Sequence, residues 1–92
     1  MTNIYNPVGI VDTVPDFIDP VQGLLALHRA GYSTAYTTWA TDQARTFEEL
    51  AFINKAKVWH RNDPVLLAGA AALNITSEQL DQLFLIAANI KT

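Results

Sequence analysis

The chain has 92 residues, half of them apolar and 16% charged, with a formal net charge of −3 at pH 7. That length and composition describe one folded domain around a single modest core and exclude a disordered chain. Cysteine is absent, which excludes disulfides, iron–sulfur clusters and thiolate zinc sites. The acidic balance weakens the counterion-release term behind most nucleic-acid binding, so DNA or RNA is not an expected partner.

The first 18 residues differ from the rest. Pro7, Gly9 and Pro15 punctuate them, and Ile4, Tyr5, Val8, Ile10, Val11, Val14, Phe17 and Ile18 are scattered without a helical or strand period. Proline prevents a continuous helix here. Residues 1–18 therefore read as an extended N-terminal arm ahead of a helical domain over residues 19–92. The arm is too apolar to float freely, so it lies on its own domain or on a neighbour. Tyr5, Val8, Ile10 and Phe17 are its candidate partner-contacting residues. It carries neither the basic segment nor the apolar stretch of a secretory signal, and no secretion is expected.

Helix punctuation is dense from Asp19 onward. Asp19-Pro20-Val21-Gln22 supplies an N-cap, a proline at the first helical position and a glutamine three residues after the cap. The helix runs to about residue 30, with Val21, Leu24, Leu25 and His28 on one face and Gly31 to end it. Ser33 is a cap for a short second helix in which Tyr36, Trp39 and Ala40 face inward. Thr41-Asp42-Gln43 is its frayed end or a loop. Thr46-Phe47-Glu48-Glu49 is a full capping box, and its spacing predicts a third helix to about His60. Phe47, Leu50, Ala51 and Val58 form one stripe of that helix, and Phe52 and Trp59 a second. Either the helix is sandwiched within the fold, or Phe52 and Trp59 anchor an interface. Beside Trp59 lies the basic cluster Lys55, Lys57, His60 and Arg61. Arg61 joins the candidate contact residues, although lysines on a helix commonly do no more than meet solvent.

Asp63-Pro64 is a second cap-plus-proline start, for a helix from 64 to 73 ended by a left-handed Asn74. This fourth helix is apolar on every side and is expected to be the central buried one. At residues 65–73 its apolar run is far short of the ~20 residues that span a bilayer, so no membrane is expected. Gly69 costs roughly 1 kcal/mol relative to alanine and is expected where a side chain would clash. Thr76-Ser77-Glu78-Gln79 opens a fifth helix to about Ile90. Leu80, Leu83, Phe84, Ile86, Ala87 and Ile90 share its broad apolar face. Leu85 is stranded among Glu78, Asp81, Gln82 and Asn89, which makes it a candidate contact residue. The fold class is all-α: a compact bundle of four to five short helices with an extended N-terminal arm.

Ala70, Leu73, Asn74, Ile75, Leu80 and Leu83 fit the skeleton of a helix-turn-helix. A DNA-reading second helix needs side chains for bases and cations for phosphates. Here it offers Ser77, Glu78, Gln79, Asp81 and Gln82, with no basic residue before Lys91, so the skeleton reads as a packing motif. Catalysis has no carrier. There is no glycine-rich phosphate loop, no HExxH and no Gly-x-Ser-x-Gly, and both serines, Ser33 and Ser77, sit at helix starts. His28 and His60 have no carboxylate at ligand spacing. No metal or cofactor is expected.

The stretch Trp59-His60-Arg61-Asn62-Asp63-Pro64-Val65-Leu66, then Ala70-Ala71-Ala72-Leu73-Asn74-Ile75-Thr76 and Gln79-Leu80-Asp81-Gln82-Leu83-Phe84, resembles small helical proteins encoded in the tail or late gene region of tailed bacteriophages. The segment 24–31 is similar as well. The resemblance covers about residues 20–90 and leaves the arm unmatched. It implies a virion component or assembly factor, located in the virion or in the host cytoplasm during assembly, with other virion or assembly proteins as partners and a homo-oligomer among the options. It carries over no catalytic or ligand residue. The competing expectation is a small acidic phage or bacterial regulator with a helix-turn-helix-like core that binds a host protein or DNA.

Overall fold

The computed structural model describes residues 13–91. Among them are five helices, α1 (Pro20–Arg29), α2 (Ser33–Ala40), α3 (Phe47–Lys55), α4 (Pro64–Ala72) and α5 (Ser77–Ala88), and two short strands, β1 (Phe17–Ile18) and β2 (Trp59–His60). The protein is largely all-α and compact. Tyr5, Val8 and Ile10 lie outside the described residues.

Four of the helix starts are fixed by the residues the sequence offers for them. At α1, Asp19 Oδ1 accepts from the Val21 N–H at 2.7 Å while Gln22 Oε1 accepts from the Asp19 N–H at 2.9 Å. The same reciprocal pair forms between Thr46 and Glu49 at α3 and between Thr76 and Gln79 at α5. At α4 the Asp63 carboxylate accepts from the N–H groups of Val65 and Leu66. Each such cap is typically worth ~1 kcal/mol. Gly31 (φ 88°) and Asn74 (φ 59°) occupy the left-handed region that turns the chain after α1 and α4.

Helix 2 begins differently from the sequence expectation. Its N-cap is Tyr32, without a side-chain bond, and Ser33 is already helical. The turn through Gly31 ties the Tyr32 N–H to the Leu27 carbonyl at 2.8 Å, and the Tyr32 carbonyl accepts from the Tyr36 N–H at 2.8 Å. The helix therefore starts one residue early, and the Ser33 hydroxyl faces His28 Nδ1 at 3.3 Å.

Helix 3 is a larger correction. It ends at Lys55, not near His60, because Ala56 (φ −61°, ψ 133°) is extended. The chain then pairs antiparallel with the end of the arm, Phe17 opposite His60 and Ile18 opposite Trp59. Ile18 and Trp59 both enter the core on this pairing. Burial of one aliphatic and one indole side chain, each worth roughly 1.5–3 kcal/mol, outweighs one further helical turn.

The core centres on α5. Leu80, Leu83, Phe84 and Ala87 are buried, and Ile75 and Ile90 flank them. They pack on Gly23, Ala26 and Leu27 of α1, on Ile18 and on Trp59. Gln22 Nε2 fastens α1 to the end of this layer by donating to the Ile90 carbonyl at 3.0 Å. Helix 4 is not the central element. Only Gly69 is buried in it, while Leu67, Ala68, Ala71 and Ala72 face solvent. Leu66 and Ala70, with Leu73 beyond the helix, give the core a partly buried flank.

Candidate contact surfaces

The candidate residues separate into buried and exposed groups. Trp59 is only 5% exposed, which removes it as a surface anchor. It and Phe52 do meet, but not as a helical stripe. Phe52 projects from α3 and stacks on the indole from β2 at 5.8 Å between ring centres, with an interplanar angle of 26°. Tyr36 approaches Trp59 at 6.3 Å and Trp39 at 6.1 Å. Arg45 lies over Trp39 at 4.8 Å and pairs with Glu49 at 3.3 Å, covering the outer side of the cluster. The floor is Gly23, where even a methyl group would overlap Cζ3 and Cε3 of Trp59.

These rings line a cavity of about 50 Å³ that also touches Leu66, Gly69 and Phe84. No charged side chain lines it. Its volume is well below the ~150 Å³ that admits benzene in an apolar protein cavity. Its one phenol, Tyr36, has a pKa raised above the ordinary 10.0 by burial. The arrangement offers neither an acid–base pair nor room for a substrate.

Arg61 is engaged within the chain. Its Nε donates to Asp81 Oδ1 at 2.8 Å, its Nη2 to the Ser77 hydroxyl at 3.0 Å and its N–H to the Asp16 carbonyl at 2.8 Å. It clamps the segment after β2 to the first turn of α5. The cluster read from sequence therefore divides, leaving Lys55, Lys57 and His60 exposed. Phe17 is exposed too, its ring tilted on His60 at 5.9 Å. Leu85 is half-buried, and it is Ile86, assigned to the apolar face from sequence, that is the more exposed. The helix-turn-helix skeleton occurs as packing, with Ile75, Leu80 and Leu83 buried after the Asn74 turn.

A broader apolar surface was not singled out from sequence. Val21 (52%), Leu24 (42%) and Leu25 (38%) of α1 are exposed, with His28 beside them. Val21, Leu24 and Leu25 point to water, and the opposite stripe of Gly23, Ala26 and Leu27 is buried. The reason is close approach: Gly23 leaves space for the Trp59 ring, which a large residue would close. The small residues Gly23 and Ala26 were the available signal, but their meaning depends on Trp59, 36 positions away from Gly23 in the chain. Helix α3 separately exposes Phe47 (83%), Leu50 and Ala51.

Compared with protein-family models, curated proteins and solved structures, the chain matches none of them significantly.

Proposed function

We propose that the chain is a non-enzymatic protein–protein interaction domain whose principal contact surface is the outer face of α1. The observation that carries this reading is the outer face of α1: Val21, Leu24 and Leu25 face solvent, while Gly23, Ala26 and Leu27 are the residues the helix buries. Large apolar side chains at i, i+3 and i+4 form the pattern by which a helix docks on a groove or on another helix. Covering them removes apolar surface from water, the main drive for association.

The resemblance to phage tail-region proteins supports the finer reading of a virion component or assembly factor. The partners are then other virion or assembly proteins, and the place of action is the virion or the host cytoplasm during assembly. The test is co-expression with the products of adjacent genes, followed by purification through a tag on this chain. At least one neighbour should co-purify, and the double variant Leu24→Glu/Leu25→Glu should lose it while keeping its helical circular dichroism. Co-purification unchanged in that variant would reject the α1 face. A gel shift with DNA at low salt, where phosphate binding is strongest, would favour the regulator instead.

A further inference from the structure

Residues 33–55, which carry α2 and α3, are held to the domain differently from the rest. None of them is buried. Helix α1, by contrast, buries Gly23, Ala26 and Leu27, and α5 buries Leu80, Leu83, Phe84 and Ala87. The hydrogen bonds divide in the same way. Among the described residues, 33–55 are bonded to the rest only at their two ends. The Tyr36 N–H donates to the Tyr32 carbonyl, the Ala56 N–H donates to the Phe52 carbonyl, and Ser33 meets His28. Elsewhere, Gln22 ties α1 to Ile90 and Arg61 ties the end of β2 to α5.

Within itself the segment is well connected. Thr46 and Glu49 cap α3 reciprocally, and Arg45 pairs with Glu49 and lies over Trp39, which couples α2 to α3. Left-handed Gly31 and extended Ala56 flank it. It reaches the apolar cavity through three rings, Tyr36, Trp39 and Phe52. Arg45 Nε is buried there with no partner, an unmet hydrogen bond that water would satisfy in an opened arrangement. A segment with internal bonds, no buried residue and outside bonds only at its ends belongs to the low-stability units that open ahead of global unfolding.

We infer that residues 33–55 are a lid: α2 and α3 move away as one unit while α1, α5 and the β1–β2 pair stay folded, and the movement opens the cavity to an uncharged, apolar ligand. The closed cavity, about 50 Å³, is below the ~150 Å³ that admits benzene. Opening removes the Tyr36, Trp39 and Phe52 rings and leaves Trp59, Leu66, Leu73 and Phe84 as the floor of a wider socket. No charged side chain lines the cavity, so a charged ligand would be desolvated there without a counter-ion. Exposed rings keep the open form a minor population, and a ligand that binds it raises that population.

Hydrogen exchange of the full chain, read amide by amide by NMR, tests the lid. Amides of α2 and α3 should exchange at least about tenfold faster than the slowest of α5, with a weaker dependence on urea, because less surface is exposed in reaching the open form. Ile90→Val separates the two kinds of opening, since Ile90 is buried but does not line the cavity. The lost methylene destabilises closed and open forms alike relative to the unfolded chain. Exchange in α5 should therefore rise about two- to tenfold, while α2 and α3 keep their original rates. An equal rise in all three helices would overturn the lid, as would equal protection of α3 and α5 in the parent chain. Benzene, near saturation in water, is the probe for the ligand class. It should shift the Trp59 and Leu66 resonances and speed exchange in α2 and α3. Shifts without faster exchange would place benzene in the closed cavity and overturn the gating. No shift at all would overturn the apolar ligand.

Discussion

Helices α4 and α5 make an instructive pair. Helix α4 is built only from proline, valine, leucine, glycine and alanine, whereas α5 mixes Ser77, Glu78, Gln79, Asp81 and Gln82 with its apolar residues. Yet α5 buries Leu80, Leu83, Phe84 and Ala87, and α4 buries Gly69 alone. Between these two helices, burial follows the large apolar side chains gathered on one side of α5. The polar side of α5 must stay in water, which fixes how the helix is turned and delivers three large side chains to the core. Helix α4 has no polar side to orient it, and an alanine methyl in water forgoes only ~0.8 kcal/mol, the value of one buried CH₂. The small core is filled by α5, α1, Ile18 and Trp59 before α4 can be enclosed.

The sharpest way to break this comparison is to truncate one large residue in each helix. Phe84, the largest fully buried side chain, should cost ~3–5 kcal/mol on replacement by alanine. Leu67→Ala, on the solvent side of α4, should cost less than ~1 kcal/mol. Urea unfolding followed by circular dichroism measures both. Equal losses would return α4 to the centre of the fold.

Two glycines provide the next test. Gly23→Ala places a methyl group inside the ring of Trp59, which is buried and backed by Phe52. The expected loss is ~1–3 kcal/mol despite the better helix propensity of alanine. At Gly69 the new methyl would meet Trp39 Cη2 at 3.2 Å. Trp39 is only half-buried and can tilt outward by the few tenths of an ångström required. The gain in propensity, ~1 kcal/mol, then offsets the contact, and stability should change by less than ~1 kcal/mol. A large loss at Gly69 would mean that α4 is held as tightly as the core around α5.

Most of the helical framework was legible in the sequence because its signals are local. Asp19-Pro20, Thr46 with Glu49, Asp63-Pro64 and Thr76 with Gln79 act within one turn, and each forms the bond its spacing implies. Gly31 and Asn74 are equally local. Long-range choices were not legible. The end of α3 at Lys55 depends on the pairing of Ile18 with Trp59, which no capping residue announces. The periodicity of α1 shows two opposed stripes but not which one will be inward; Trp59 decides that by needing Gly23. Of the candidate contact residues, Phe17 is exposed, Phe52 and Leu85 are half-buried, Trp59 is buried and Arg61 is tied to Asp81. Aromatic or basic character marked these residues, but only the packing separates an anchor from a core residue.

The smallest expected effect concerns the space between α2 and α4, where Tyr36 faces the same cavity as Leu66 and Gly69. Burial raises the Tyr36 pKa because the phenolate is poorly solvated there. In the unfolded chain the phenol titrates near its ordinary 10.0. Between that value and the higher folded one, the native state keeps a proton that the unfolded state has lost. By linkage, stability is intact below pH 10.0 and falls as pH rises through this window. Tyr36→Phe has no such proton and should lose less stability over the same alkaline range. Paired unfolding curves of the two proteins isolate the difference from the titration of other tyrosines and of lysines, and phenolate absorbance in the folded protein reads the titration directly. Parallel curves would mean that water reaches the phenol, and that the flank supplied by α4 does not keep this side of the core dry.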